Sequence, residues 1–352
     1  MCTRSPRSHF PFTCLSHRYL ERHSYANAAT DDLWGALEDA SGVNVRSIMD
    51  RWTLSSGFPC ITVEEVLGAA PEEASERRFR LSQTQFRESG MVGMGGGGGG
   101  EKKAEEAEGA GAGAVDELWS VPVRIATEGG QSTVVMLSDA SMEFTVAAGP
   151  AEWVRVNAGQ VGLFRCFHGT DALLGHLMRG IREQTLPAAD RIGMLSDIFA
   201  LAKAGATPLP RAILFAQAYI GERETAVVIE LCENLSGVLG KYGGDEDIGS
   251  PLRAFCIDII APLAAELGWV VAEGEAASVA RMRAAVLRLL STAKHEPTIA
   301  EARRQFDQAP DMIDANLRAL VRWGETKEER GVWGGGRQRE RRGLCLYKLC
   351  VV

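Results

Sequence analysis

The sequence predicts a multidomain chain with a short helical opening, then a β-sandwich, then an α-helical solenoid. Three observations carry that reading. Helix-capping signals and one apolar stripe of helical period precede Gly57, short runs of strand period fill Cys60 to Phe167, and apolar runs from Asp171 to about Val321 return to helical period.

The opening contains two helices. In "YANAATDDLWGALEDASG" Thr30 stands where an N-cap belongs, Asp31 and Asp32 complement the dipole of the first turn, and Gly42 stands where a helix is closed. Val45, Ile48, Met49 and Trp52 then recur at i, i+3, i+4 and i+7, giving one stripe on a second helix. "SSGFP" ends it, because glycine permits the turn and proline disfavours helix in the residue before it. The chain restarts as a strand through Ile61 and Val63.

Strand signals continue in "RRFRLSQTQF", "ELWSVPVRI", "STVVMLS", "MEFTVAA", "EWVRVN" and "GLFRCF", with Trp119, Val121, Val123 and Ile125 alternating. Short runs separated by turn residues predict a small sandwich over residues 59–167. Residues 90–114 are rich in Gly, Ala and Glu and are expected to be a disordered insert, since such a composition buries no core. Its glycines are no phosphate loop, because no strand feeds them and no G-K-[ST] closes them.

Residues 168–322 are predicted helical. Leu252, Phe255, Ile259, Leu263 and Leu267 fall on one side of one helix, and Val279, Met282, Val286 and Leu289 on one side of the next. Gly205, Gly268 and Gly274 punctuate the run. Short helices with short connections stack as hairpins, each covering its neighbour's apolar face, although no sequence period is visible. Residues 1–18 form a basic leader expected to be disordered, and residues 323–352 a Gly- and Arg-rich tail without a helical stripe.

Composition narrows the function. Hydrophobic residues make up 45% and charged residues 24%, with a net charge of -8, and mean hydropathy is -0.07. No segment approaches the ~18 consecutive apolar residues of a spanning helix. The acidic balance argues against nucleic-acid binding, which needs a basic face to displace counterions, and the Arg cluster of the tail stands alone. Eight cysteines without a C-x-x-C pair read as reduced thiols in the cytoplasm, with organelle import by the basic leader left open. Cys232 and Cys256 lie in apolar helical runs and are expected in the core.

Motifs for chemistry are missing. The six histidines, His9, His17, His23, His168, His176 and His295, form no H-E-x-x-H, the helical pair that holds zinc beside a general-base Glu, and are expected to be surface or satisfied structural residues. Cys14, His17 and His23 are a metal cluster by residue type only, with no second Cys-x-x-Cys arm. "DEDIGS" at Asp245 begins like a calcium loop, but position twelve is Cys256 where a bidentate Glu is needed. No G-x-S-x-G elbow exists. Catalytic and metal residues are therefore expected to be none.

Seven segments in collinear order nevertheless resemble one family. "YANAATDDLWGALEDASG", "IMDRWTLSSGFPCITV", "RRFRLSQTQF", "EWVRVNAGQVGLFRCF", "LPAADRIGMLSDIFALAKAG", "APLAAELGW" and "IAEARRQF" look like consecutive parts of gluzincin zinc aminopeptidases of the puromycin-sensitive and endoplasmic-reticulum type. The resemblance implies that residues 19–58 are the helical end of a thermolysin-like catalytic domain, followed by the family's sandwich and a truncated helical domain. It implies that the zinc site would precede Tyr19, so that zinc is a cofactor of the intact family and none is bound by this chain. Gly162, Leu163, Phe164 and Arg165 depart from the family's G-F-Y-R.

Trp34, Trp52, Trp153, Arg165, Asp190, Arg191 and Trp269 sit in the resembling segments and are assigned structural roles in helix packing, sandwich closure and ion pairs. The resemblance implies peptides as the substrate class, with a missing catalytic half or another aminopeptidase subunit as partner. The competing expectation is a stand-alone scaffold that holds a peptide or protein, or a regulator of a complete aminopeptidase.

Overall fold

The computed structural model describes residues 19–66, 76–87, 90–91, 118–308 and 317. The leader, most of the glycine-rich segment and the tail lie outside these residues, as do Cys14 and His17. The chain divides into two compact units, residues 1–222 and residues 223–352.

The first unit begins with α1 (Thr30–Ser41) and α2 (Val45–Leu54). Thr30 is the first helical residue, so Ala29 takes the N-cap place expected of Thr30. Alanine has no side-chain acceptor; the Asp32 carboxylate instead reaches back and accepts the Ala29 N–H at 2.8 Å. Gly42 closes α1 at φ 70°, a backbone region that costs glycine nothing. Asn44 caps α2, accepting the Ser47 N–H at 3.0 Å. No residue of either helix is buried; the expected apolar stripe of Val45, Ile48, Met49 and Trp52 is only half-covered, and so is Trp34 on α1. Trp52 is the point of attachment: its ring lies 6.5 Å from that of Trp119, and its indole N–H donates to the Ser120 carbonyl.

Two sheets follow. One contains β1 (Phe58–Glu65), β2 (Glu76–Arg87), β3 (Gly90–Met91), β6 (Ser141–Ala147) and β8 (Arg165–His168). The other orders β5 (Ser132–Leu137), β4 (Val121–Thr127) and β7 (Val154–Val156). Every run of strand period noted in the sequence overlaps one of these strands. Gly90 and Met91, placed by sequence in the disordered insert, instead pair with Arg87 and Phe86 and extend the first sheet by a short hairpin. β1 pairs antiparallel with β2 but parallel with β8, so the last strand returns from the second sheet to the first.

The two-residue period of β2 sends Phe79 and Leu81 inward, and that of β4 does the same for Val121, Val123 and Ile125. These side chains, with Ile61, Val63, Leu137, Phe144, Val156 and Trp119, form one cluster shared by both sheets. Each fully buried Val, Leu, Ile or Phe contributes about 1.5–3 kcal/mol of transfer free energy, so this shared face holds the two sheets together.

Polar Gln83 also points inward, and its amide accepts the Trp119 N–H at 2.9 Å while donating to the carbonyls of Trp119 and Asp139. A buried amide is tolerated only when so satisfied. It fixes the approach to β4 at Trp119.

Three helices complete the first unit: α3 (Asp171–Arg182), α4 (Ala188–Lys203) and α5 (Leu209–Ala216). The second unit is helical among the described residues, with α6 (Thr225–Tyr242), α7 (Gly249–Leu267), α8 (Ala277–Thr292) and α9 (Glu296–Gln308). Asp245, the false start of a calcium loop, instead accepts the N–H groups of Asp247 and Ile248 and leads the chain into α7.

The α7 stripe is shifted from expectation: Cys256, Ile259, Ile260 and Leu263 are buried, whereas Leu252, Phe255 and Leu267 are only half so. In α8 the buried set is broader than one stripe, adding Ala284, Leu287 and Leu290 to Met282, Val286 and Leu289, while Val279 is half-buried. A helix covered on two sides needs a wider apolar face than a single stripe.

Candidate functional site

The polar residues that sequence analysis singled out converge where β7, β8 and α4 meet. Strand β7 buries Val154 and Val156 against the sheet core, so Arg155 between them points the other way, toward the helices, and is fully buried. Helix α4 answers with Asp190 and Asp197, seven residues and about two turns apart and therefore on one face.

Asp190 Oδ1 accepts from Arg155 Nε at 3.2 Å and from the Gly159 N–H at 2.8 Å. Asp197 accepts from Arg165 Nη1 at 3.2 Å and from the Cys166 N–H at 3.1 Å. Burial pushes the Asp197 carboxyl above the usual carboxylate range, and the guanidinium groups of Arg155 and Arg165 oppose that rise.

The same arrangement fixes the loop after β7. Asn157, Gly159 and Gln160 all have positive φ, at 63°, 74° and 55°. The two side-chain-bearing residues are held there at about 1–3 kcal/mol each. Asn157 secures the turn by accepting the Gly162 N–H at 2.8 Å and donating to the Gly162 carbonyl at 3.0 Å. Val161 and Leu163 stand exposed at its tip.

A second buried pair sits one residue along α4. Arg191 donates to Glu222 at 2.8 and 3.2 Å and to the Leu186 carbonyl at 2.6 Å, and the Tyr219 hydroxyl donates to the Arg191 carbonyl. Trp153, just before β7, is buried and donates its indole N–H to Thr185 Oγ1 at 2.9 Å. Trp153 packs over Gly180 of α3, where a Cβ would come within 2.7 Å of the indole Cδ1.

Arg165, Asp190, Arg191 and Trp153 are thus brought into one layer between strands and helices. Trp34 and Trp52 lie apart on α1 and α2. Trp269 belongs to the second unit, where it packs on the cluster of Ala284, Leu287, Ala302 and Leu317.

The partners, Arg155, Asp197, Glu222 and Gln83, were not singled out from sequence. One signal for them existed: an arginine between two valines in a strand, and two aspartates seven apart on an apolar helix. In the second unit Arg283, also unanticipated, donates to the Leu267 and Gly268 carbonyls and to Glu275 at 2.6 and 2.7 Å. A cation there neutralises the carboxyl end of α7.

The layer offers little to a reaction. Burial pushes the Cys166 thiol up to about 12 and raises Cys60 as well, so neither supplies a thiolate. Cys232 and Cys256 are buried free thiols, as expected, each pushed up to about 12. His168 corrects the expectation of a surface or satisfied histidine. It is buried, its Nε2 has no protein partner, and burial with the nearby charges of Arg155 and Arg211 lowers its pKa to about 3. No three His, Cys, Asp or Glu side chains among the described residues group to hold a metal ion. The described residues do not fit the zinc that the resemblance implies for the intact family.

The described residues form sheets followed by helices, with a buried ionic layer between strands and helices of the first unit. Residues 153–322 match the family model of the ERAP1-like C-terminal domain, and the chain is a homologue of the M1 aminopeptidases, as the seven segments implied. Aminopeptidase M1-A of Oryza sativa subsp. japonica is 30% identical over 298 residues, 82% of this chain and 30% of that protein. Puromycin-sensitive aminopeptidase of Caenorhabditis elegans is 28% identical over 319 residues, 87% of this chain and 31% of its own length. Aminopeptidase M1 of Arabidopsis thaliana is 29% identical over 291 residues, covering 82% and 31%. The chain spans about a third of the length of the curated relatives it matches.

Proposed function

We propose that this chain is the C-terminal region of a zinc metalloaminopeptidase that removes N-terminal residues from peptides, and that the polypeptide alone does not cleave them. The reading rests on one observation: four fifths of the chain aligns with about a third of each aminopeptidase, while the 352-residue sequence contains no H-E-x-x-H. Hydrolysis in that class requires a metal to lower the pKa of water and polarise the carbonyl, with a Glu to move the proton. Buried ion pairs and a helical array shape and stiffen a structure; they provide no such electrophile.

In this proposal the two sheets are the family's β-sandwich, and the helices are part of its solenoid domain, which shapes the peptide cavity. The α1–α2 pair is the helical end of a thermolysin-like domain, a role supported by its half-covered apolar stripe. The partner is then a catalytic half or another aminopeptidase subunit. A cytoplasmic location is supported by the four buried free thiols.

The test is to purify the chain, measure bound zinc and assay an aminoacyl fluorogenic substrate. The expected result is no turnover and no stoichiometric metal. Turnover accompanied by one tightly held zinc ion overturns the proposal. Reading the DNA upstream of the locus separates truncation from the rest, because an H-E-x-x-H there favours a fragment. A monodisperse monomer with no such upstream segment favours the stand-alone scaffold.

A further inference from the structure

The first unit contains a small, partly open cavity that the aminopeptidase reading does not use. His168 at the end of β8, Thr207 just before α5, Arg211 on α5 and Asp197 on α4 supply its polar lining, and residues such as Leu174 and Phe215 its apolar wall. It leaves about 20 Å³ for the centre of a water-sized molecule. A single water needs roughly 10–15 Å³ by the same measure, so the space suits one such molecule.

Three atoms of the lining residues are buried and have no protein partner: His168 Nε2, Thr207 Oγ1 and Arg211 Nε. His168 is 8% exposed, Thr207 5% and the Arg211 side chain 20%, but the three atoms themselves are buried, so bulk solvent does not serve them. Buried polar atoms without hydrogen bonds are uncommon in native proteins because each forfeits its hydration on folding.

Charge decides what fits. Asp197 is already paired with Arg165, and Arg211 with Asp171 at 3.0 Å. An anion in the cavity would face the Asp197 carboxylate and a cation the Arg211 guanidinium. A neutral molecule that both donates and accepts matches an arginine N–H, a hydroxyl and a neutral imidazole together.

We propose that this cavity is a binding site for one ordered water, which accepts from Arg211 Nε and bridges to Thr207 Oγ1 and His168 Nε2. The water joins the end of β8 to the start of α5. Direct contacts run alongside it: Arg211 Nη2 donates to the His168 carbonyl at 3.1 Å, and the guanidinium lies 5.7 Å from the Phe167 ring centre. Together they clamp α5 onto the sheet.

The test is high-resolution diffraction from the full chain, with xenon-pressurised and bromide-soaked crystals, combined with Thr207→Val and Thr207→Ser. The expected results are density for one water within hydrogen-bonding distance of all three atoms, and no xenon or bromide in the cavity. Thr207→Val should lower the folding equilibrium constant about five- to thirty-fold, the factor that one or two lost hydrogen bonds would produce. It should also speed amide exchange in residues 209–216. Thr207→Ser keeps the hydroxyl and should keep the water. Xenon in the cavity would show it dry, a bromide peak would make it an anion site, and a Thr207→Val protein as stable as the parent would remove the bridge; each overturns the proposal. If Thr207→Val does not fold, density and xenon in the unsubstituted protein decide.

Discussion

Replacing Asp190 by Asn isolates one charge in the buried layer. The substitution keeps the shape and leaves an oxygen to accept the Gly159 N–H, but it strips the fully buried Arg155 of its hydrogen-bonded counter-ion. Breaking a buried pair from one side costs about 3–5 kcal/mol, because the remaining charge is left uncompensated. Asp197 also acts electrostatically on Arg155, so the lower end applies, about 3 kcal/mol. For a unit of this size each kcal/mol moves the midpoint by about 2–4 °C, giving a drop of roughly 6–12 °C.

The assay is urea unfolding followed by tryptophan emission and circular dichroism, with Arg155→Met and the double variant completing a cycle. Arg155→Met alone leaves Asp190 buried without its counter-ion and should also destabilise. The double variant should recover much of the loss, since an apolar replacement has no charge to desolvate. An Asp190→Asn loss under about 1 kcal/mol, within the range of an exposed pair, would refute the argument that burial makes this pair indispensable.

His168 predicts a pH dependence. Its folded pKa, about 3, lies below the ordinary 6.5, so the unfolded chain takes up the proton first. This contribution is fully present above about pH 6.5 and is lost as pH falls toward 3, and a His168→Gln variant should show a flatter acid limb in urea titrations. Gly180→Ala would press a methyl group into Trp153, with an expected loss of about 1–3 kcal/mol and a red-shifted tryptophan emission as the indole leaves Thr185. Cys60, Cys166, Cys232 and Cys256 should resist a thiol reagent until the protein is unfolded, counted by mass spectrometry of labelled peptides. Rapid labelling of Cys166 in native buffer would contradict its burial.

Much of this protein was legible in its residue order. Alternation placed the β4 face, a short run bounded by turn residues placed β2, helical spacing placed α2, α7 and α8, and Gly42 marked where α1 ends. These are local properties, since a two- or 3.6-residue period and a glycine at positive φ are set within a few residues. The family was legible too, because seven segments in order carry it without any tertiary contact.

What the residue order left undecided was where polar side chains end. Ala29 is the N-cap because Asp32 folds back to it, and Thr30 loses that place. Arg155 is buried because Asp190 waits 35 positions later, and Arg191 finds Glu222 31 positions away. His168 is buried beside a cavity lined in part by residues from α4 and α5. A charge is tolerated in a protein interior only where its partner arrives, and that arrival depends on how distant segments pack, which no local pattern encodes. Periodicity therefore determined which segments are strands and helices, while tertiary packing decided how wide each buried face is, as the shifted stripe of α7 and the broad one of α8 show, and which ions and polar atoms those faces enclose.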